Sequence, residues 1–336
     1  MQRGGAGLDL EEAKGHRNMT DKPDLAALFG ATSAETFLGL KACSDLTRID
    51  ASSVFIGAPC ATPYGSVGAY CRNGPDSLRR AIASLTANIE RHNFDLGGPT
   101  FPPGTKPAVD CGDLPWSETD FAANRAAIRE AISAVAGRGV VPVLVGGDDS
   151  VPVPMLEALA ETGKTYTVLQ IDAHIDWRHE HMGETQGLSS TMRRASEMDH
   201  ICKIIQVGAR SIGSAHTDDY KDALTWGVKF FTGPDVHRNG IEPALAEIES
   251  GANVIVCLDI DAMDPSIAPN TIGRAPGGLS YYQVLDLIRG ASERGSIAAI
   301  DFTEIMPEVD VDGIGGITVS RLVAATMGII ARQQMA

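Results

Sequence analysis

Eight short apolar runs punctuate this chain: "SVFIGAP" (53–59), "KPAVDCG" (106–112), "VVPVLVGG" (140–147), "TYTVLQIDA" (165–173), "IIQVGA" (204–209), "VKFF" (228–231), "NVIVCLDID" (253–261) and "SIAAIDFTEI" (296–305). They are continuous rather than alternating, the pattern of strands buried on both faces in a parallel sheet. Stretches of helical character lie between them. "TDFAANRAAIREAISAVAGRG" (119–139) carries an N-cap candidate at Ser117 or Thr119 and ends on glycine, "SYYQVLDLIRGASERG" (280–295) opens on Ser280, and "GITVSRLVAATMGIIARQ" (316–333) closes the chain. Alternating strands and helices predict βαβ units, hence an α/β fold: a three-layer αβα sandwich around a parallel sheet. The Gly-rich, charged residues 1–24 read as a flexible N-terminal arm, and 25–336 as one domain without linker or repeat.

Composition narrows the partners. The 336 residues carry a net charge of −15, which disfavours nucleic acid and anionic membrane and suits a cationic or neutral small molecule. No apolar run approaches the roughly 18 residues that span a bilayer, and the N-terminus lacks the apolar segment of a secretory signal. The six cysteines are scattered without a CxxC pair, as expected of reduced thiols in a cytoplasmic protein. The glycine-rich stretch 57–75 is no phosphate loop; it has neither GxGxxG nor a Lys-Ser/Thr ending. Its Tyr64 and Tyr70 either shape a pocket or simply pack, and its Cys60 and Cys71 lack a histidine partner nearby in sequence.

The chemistry collects where open α/β sheets bind ligands, beyond the carboxyl ends of the strands. "VLVGGDDS" ends in Asp148 and Asp149, "VLQIDAHID" in Asp172, His174 and Asp176, "VIVCLDIDAMD" in Asp259, Asp261 and Asp264, and "IAAIDFTEIMPE" in Asp301 and Glu304. Carboxylates gathered without a cation would cost several kcal/mol each on burial. Side chains at alternate positions of extended chain share a side, so Asp172, His174 and Asp176 can converge, as can Asp259 and Asp261. Hard oxygens with a single imidazole suit Mn²⁺ or another first-row divalent ion, and more than one of them.

These motifs, together with "APGGLSYYQV" (275–284), resemble the ureohydrolase family, which includes arginase, agmatinase and guanidinobutyrase. The resemblance runs from about residue 50 to 333 with the motifs in the family's order. It implies an arginase-like fold with an eight-stranded parallel sheet, and two divalent ions per active site, Mn²⁺ or Ni²⁺. It further implies release of urea from a small guanidino substrate and assembly into a homo- or hetero-oligomer, often a trimer or hexamer. Carried over by residue, Asp172 and Asp259 would bridge both metals. Asp176 would complete one site, and His174 with Asp261 the other. Asp176 would also hold the attacking hydroxide, and Glu304 would pair with the guanidinium.

The chain departs from the family pattern twice. "GGDDS" puts Asp149 where the family has a metal-binding histidine; as a ligand it would make five carboxylates and one imidazole. After "DAHID", Trp177 and Arg178 replace small polar residues, and Gln186 falls where a proton-relay histidine belongs, leaving His179 or His181 for that role. Arg178 either pairs with Glu180 or Glu184 or repels a cationic substrate tail. That leaves small or alkylated guanidines, biguanides such as metformin, and guanidino acids as candidates. A non-catalytic partner subunit of a hetero-oligomeric ureohydrolase is the alternative, because the changes at Asp149 and Gln186 would suit a decaying site.

Overall fold

The computed structural model describes residues 35–335; the proposed arm, 1–24, lies outside them. Nine strands form one sheet: β1 (Lys41–Ala42), β2 (Ser53–Gly57), β3 (Val109–Asp113), β4 (Val141–Val145), β5 (Tyr166–Ile171), β6 (Ile201–Val207), β7 (Lys229–Phe231), β8 (Asn253–Asp259) and β9 (Ser296–Thr303). Their order is β1-β3-β2-β4-β9-β8-β5-β6-β7. Every pairing within this sheet is parallel. The eight apolar runs all became strands. The expected count of eight is corrected to nine by β1, a two-residue edge strand with both residues exposed, too short and too polar to show in a hydrophobicity pattern. A separate two-residue antiparallel ribbon pairs His92–Asn93 with Gly98–Pro99.

Helices cover both faces: α1 (Gly74–Ile82), α2 (Phe121–Ala136), α3 (Pro152–Leu159), α4 (Thr191–Ser196), α5 (Thr217–Trp226), α6 (Gly233–Asn239), α7 (Glu242–Ala246), α8 (Tyr281–Arg294) and α9 (Ile314–Gln333). Strand alternation divides the core in two. From β8, Val254, Val256 and Leu258 join a cluster with α8 and α9, while Ile255 and Cys257 face a cluster with α2 and α3. That division makes the three layers and explains why the strands read as unbroken apolar runs.

Two helix starts test the expected capping. Ser280 caps α8 in a full capping box with Gln283. At α2 the cap is Asp120, whose side chain accepts from Ala123 N at 3.0 Å. Ser117 instead braces the approach, its hydroxyl accepting from Thr119 N and Asp120 N. The closing helix α9 is long and apolar enough to cross a membrane by length and composition, although 83% of that stretch is buried inside the fold. A count of unbroken apolar runs passes over it because Ser320 and Arg321 interrupt the sequence. Its burial makes it the core helix. The six cysteines are all free.

Candidate metal and substrate site

The four acid-bearing strands are neighbours in the sheet: β4, β9, β8 and β5, in that order. Their carboxyl ends therefore open onto one place. The chain leaves β4 through Gly146 and Gly147, at φ 98° and 72°, a region that suits glycine. A Cβ on Gly147 would lie 2.6 Å from the Ala58 carbonyl oxygen. Asp148 then turns into the loop and accepts from Ser150 N at 3.1 Å, whereas Asp149 enters the site, buried.

Ligand atoms of Asp172, His174, Asp259 and Asp261 lie within 4.8 Å of one another, and so do those of Asp149, Asp172 and Asp176. Asp172 belongs to both groups. The six proposed metal ligands thus converge into two overlapping clusters with Asp172 shared; Asp259, the other expected bridge, falls in the first cluster alone. His174 Nδ1 stands 3.0 Å from Asp261 and 3.5 Å from Asp172. Asp149 Oδ1 accepts from Thr303 Oγ1 at 3.0 Å, and its buried Oδ2 has no partner.

Charge crowding is plain in the acidities. Burial, then the neighbouring Asp172 charge, push Asp149 and Asp176 well above the usual carboxylate range. Burial and the Asp261 charge do the same to Asp259. Asp261 is pushed up to about 6 by burial and Asp172. Asp172 stays low against its burial because His174 donates to it. Burial works against the His174 cation too, yet Asp172 and Asp261 push its imidazole up to about 12. Orphaned carboxylate oxygens, mutual repulsion and a donor set of five carboxylates and one imidazole fit hard divalent cations.

Glu304 sits beside the cluster at the end of β9. Its Oε1 accepts from Tyr70 Oη at 2.6 Å and from Asp149 N at 3.0 Å, while its buried Oε2 has no partner. Burial pushes its carboxyl up to about 8. Glu304 and Asp176 both hold positive φ, at 63° and 44°. Such backbone is unfavourable for these residues, and it persists here at a buried cluster.

A cavity of about 230 Å³ opens over this floor, lined by Asp149, His174, Asp176, Asp259, Asp261 and Glu304 on the acidic side. Arg178 and Asp219 also line it. That volume lies below the roughly 300–1,000 Å³ of drug-sized sites and suits a small compound. Trp177 borders the cavity as well. It is only 2% exposed, rests edge-on against Trp226, and donates its indole N–H to Asp222 at 2.9 Å. Arg178 meets neither Glu180 nor Glu184; its Nη1 bonds His181 Nδ1 at 3.0 Å. His179 is exposed and outside the cavity lining.

Several supporting residues escaped the sequence reading. Gln170, inside β5, donates to Asp172 at 2.8 Å and to Asp176 at 2.7 Å, and Gln206 from β6 donates to it in turn. An amide side chain set between Leu169 and Ile171 in a buried run was the signal for it. Arg210, buried after β6, donates to the carbonyls of Asp261, Ala262 and Met263 and so holds the turn that presents Asp261. Tyr70 stood as an undecided aromatic and proves to orient Glu304. Asp264 and Asp301, grouped with the strand-end acids, stand apart. Asp264 accepts from Ser266 N, Gly277 N and Gly278 N, and Asp301 accepts from Leu258 N beneath the site.

Comparison with known proteins bears on the family and the fold. The family model described as Arginase, the arginase family, matches residues 51–328. A guanidinobutyrase from Pseudomonas aeruginosa is 27% identical over 275 residues, covering 80% of this chain and 83% of that protein. An N(1)-aminopropylagmatine ureohydrolase from Thermus thermophilus is 31% identical over 238 residues, covering 70% and 76%. Among solved structures, the proclavaminate amidino hydrolase of Streptomyces clavuligerus superposes with a TM-score of 0.77 at 27% identity, covering 90% of this chain and 99% of that one.

Proposed function

The chain belongs to the arginase family, and from that premise we propose that it hydrolyses a guanidino compound to urea and an amine with two divalent ions, Mn²⁺ or Ni²⁺. The observation that carries this reading is the pair of acidic clusters sharing Asp172, with the free Oε2 of Glu304 on the same cavity. Asp149, Asp172 and Asp176 would hold one ion, and Asp172, His174, Asp259 and Asp261 the other. Ions at this centre would supply the positive charge that makes water a nucleophile at neutral pH.

The remaining work falls to the chain's own residues. Glu304, oriented by Tyr70, pairs through Oε2 with the guanidinium and fixes its plane for attack on the central carbon. Asp176 accepts the hydrogen bond of the attacking water. As the C–N bond breaks, the departing nitrogen takes up a proton. Of the two loop histidines, His181 touches a residue of the cavity wall while His179 faces solvent, so His181 is our candidate relay. Candidate substrates are small or alkylated guanidines, biguanides and guanidino acids. The active form is an oligomer, a trimer or hexamer.

The non-catalytic partner reading is less favoured, because all six ligand positions and Glu304 remain gathered at one cavity. The test is urea release from a panel of guanidino compounds, with Mn²⁺ and Ni²⁺ supplied separately, beside metal content per chain and light scattering. About two ions per chain and turnover of at least one compound are expected. Asp172→Asn should lose both ions and turnover. If the parent binds two ions and releases no urea alone, yet activates a co-expressed relative, the partner-subunit reading replaces this one.

A further inference from the structure

The floor of the cavity is acidic, and its outer wall carries one tethered cation. Arg178 follows two residues after Asp176, and the bends beyond the strand end, Asp176 at φ 44° among them, bring this stretch of chain to the cavity wall. Its backbone N–H donates to Ser189 O at 3.0 Å, which fixes the chain at this point. Its Nη1 donates to His181 Nδ1 at 3.0 Å, so that nitrogen is the unprotonated one. The His181 ring stands edge-on to Tyr64, with centroids 4.6 Å apart, and the Tyr64 hydroxyl accepts from Ser189 N at 3.2 Å. The guanidinium is therefore held by the imidazole of a braced loop. Among the described residues it has no carboxylate partner, although Glu180 and Glu184 are close in sequence.

We propose that Arg178 is the specificity residue of this cavity and selects substrates carrying a guanidinium at one end and a carboxylate at the other. The inference rests on the hydrolase reading above for the position of the guanidinium. With that group on Glu304, a tail of a few carbons extends toward the outer wall. A terminal carboxylate there meets a planar five-donor cation already held in place, which lowers the entropic cost of a two-pronged contact. An ammonium tail meets the same cation as a like charge. Tyr64 acts through Arg178 and is a positioning residue, and His181 holds Arg178 through Nδ1 beside the relay role proposed for it. Asp219, the acid that also lines the cavity, offers the opposite preference and makes the natural control.

The experiment pairs 4-guanidinobutyrate with agmatine, which share the guanidinium and differ in tail charge. Affinity is read by calorimetry on the metal-loaded protein, and urea release is read separately. The parent should prefer the acid. Arg178→Gln should lower the acid-to-amine affinity ratio by about 10–100-fold, the range for one charge-assisted contact. Arg178→Lys should keep part of the preference, and Asp219→Asn should leave or raise it. A ratio unchanged by Arg178→Gln, or a parent that prefers agmatine, overturns the proposal. Urea release without Arg178-dependent preference leaves the hydrolase reading standing and removes this one. Arg178-dependent binding of the acid without urea from any compound does the reverse.

Discussion

At the scale of single residues, Asp149 carries the sharpest test. It occupies the position where the resembled family has histidine, and its Oδ2 is buried without a partner next to Asp172 and Asp176. Removing the carboxylate by Asp149→Ala leaves one ion under-coordinated, so metal analysis should show about one ion lost per chain, with most turnover. Asp149→His should keep both ions, because imidazole replaces one ligand with another and removes one negative charge. Retention of two ions and parental turnover in Asp149→Ala would make Asp149 a loop acid. Tyr70→Phe tests a different link, since Tyr70 touches Glu304 and no metal ligand cluster. Loss of a hydrogen bond to a charged group is worth about 1.5–3 kcal/mol, so KM should rise about tenfold or more while metal content holds. The clustered acids were legible in the chain because acids repeated after apolar runs repel one another unless a cation lies between them. Tyr70 was not, because its partner lies 234 positions away.

At the scale of elements, the site depends on what lies just behind the ligands. Gln170 of β5 spans Asp172 and Asp176 with one amide, and Gln206 of β6 holds that amide's orientation. Gln170→Leu keeps the volume and removes the donor, and should weaken metal binding about 10–100-fold in a competition titration with a chelating dye. Unchanged affinity would mean the glutamine only packs. The loop before α8 comes equally close. A Cβ on Gly273 would lie 2.4 Å from Asp261 Oδ2 and 2.9 Å from His174 Cε1. Gly273→Ala should therefore displace both ligands and cost occupancy of that ion, by metal analysis, with secondary structure intact by circular dichroism. Strands and long helices were readable from apolar patterning. The two-residue β1 and the cap at Asp120 were not, because neither leaves a periodic signal.

At the scale of the whole molecule, the buried acids tie stability to pH and metal. Burial pushes Asp261 up to about 6, Asp301 to about 7 and Glu304 to about 8. Groups whose folded pKa is raised bind more protons folded than unfolded, so their contribution is full below the unfolded carboxylate range near 4 and is lost as pH rises through the folded values. Without metal, the protein should lose stability between about pH 5 and 8. Bound cations favour the ionised ligands and oppose that loss. Thermal melts in chelator should fall by at least about 3 °C over that window, with a smaller change in Mn²⁺. Equal slopes with and without metal would separate the acid cluster from metal binding.

The chain by itself determined the class of fold, because continuous apolar runs between helical stretches have one stable solution, a parallel sheet covered on both faces. It also determined which residues could meet a cation, because those acids follow apolar runs directly and so fall at the carboxyl ends of the strands, where parallel sheets bind ligands. Only the tertiary structure decided that β4, β9, β8 and β5 stand side by side, since strand order depends on crossovers joining segments far apart in sequence. The same packing sorted the acids: Asp149 into the cluster, Asp148 and Asp264 into loop caps, and Asp301 beneath the site. It also tied the Trp177 indole N–H to Asp222 and brought Arg178 to the cavity wall. Bends beyond the strand end, with Asp176 at φ 44°, bring residues 174–178 to one cavity, and such bends leave no periodic signal in the sequence.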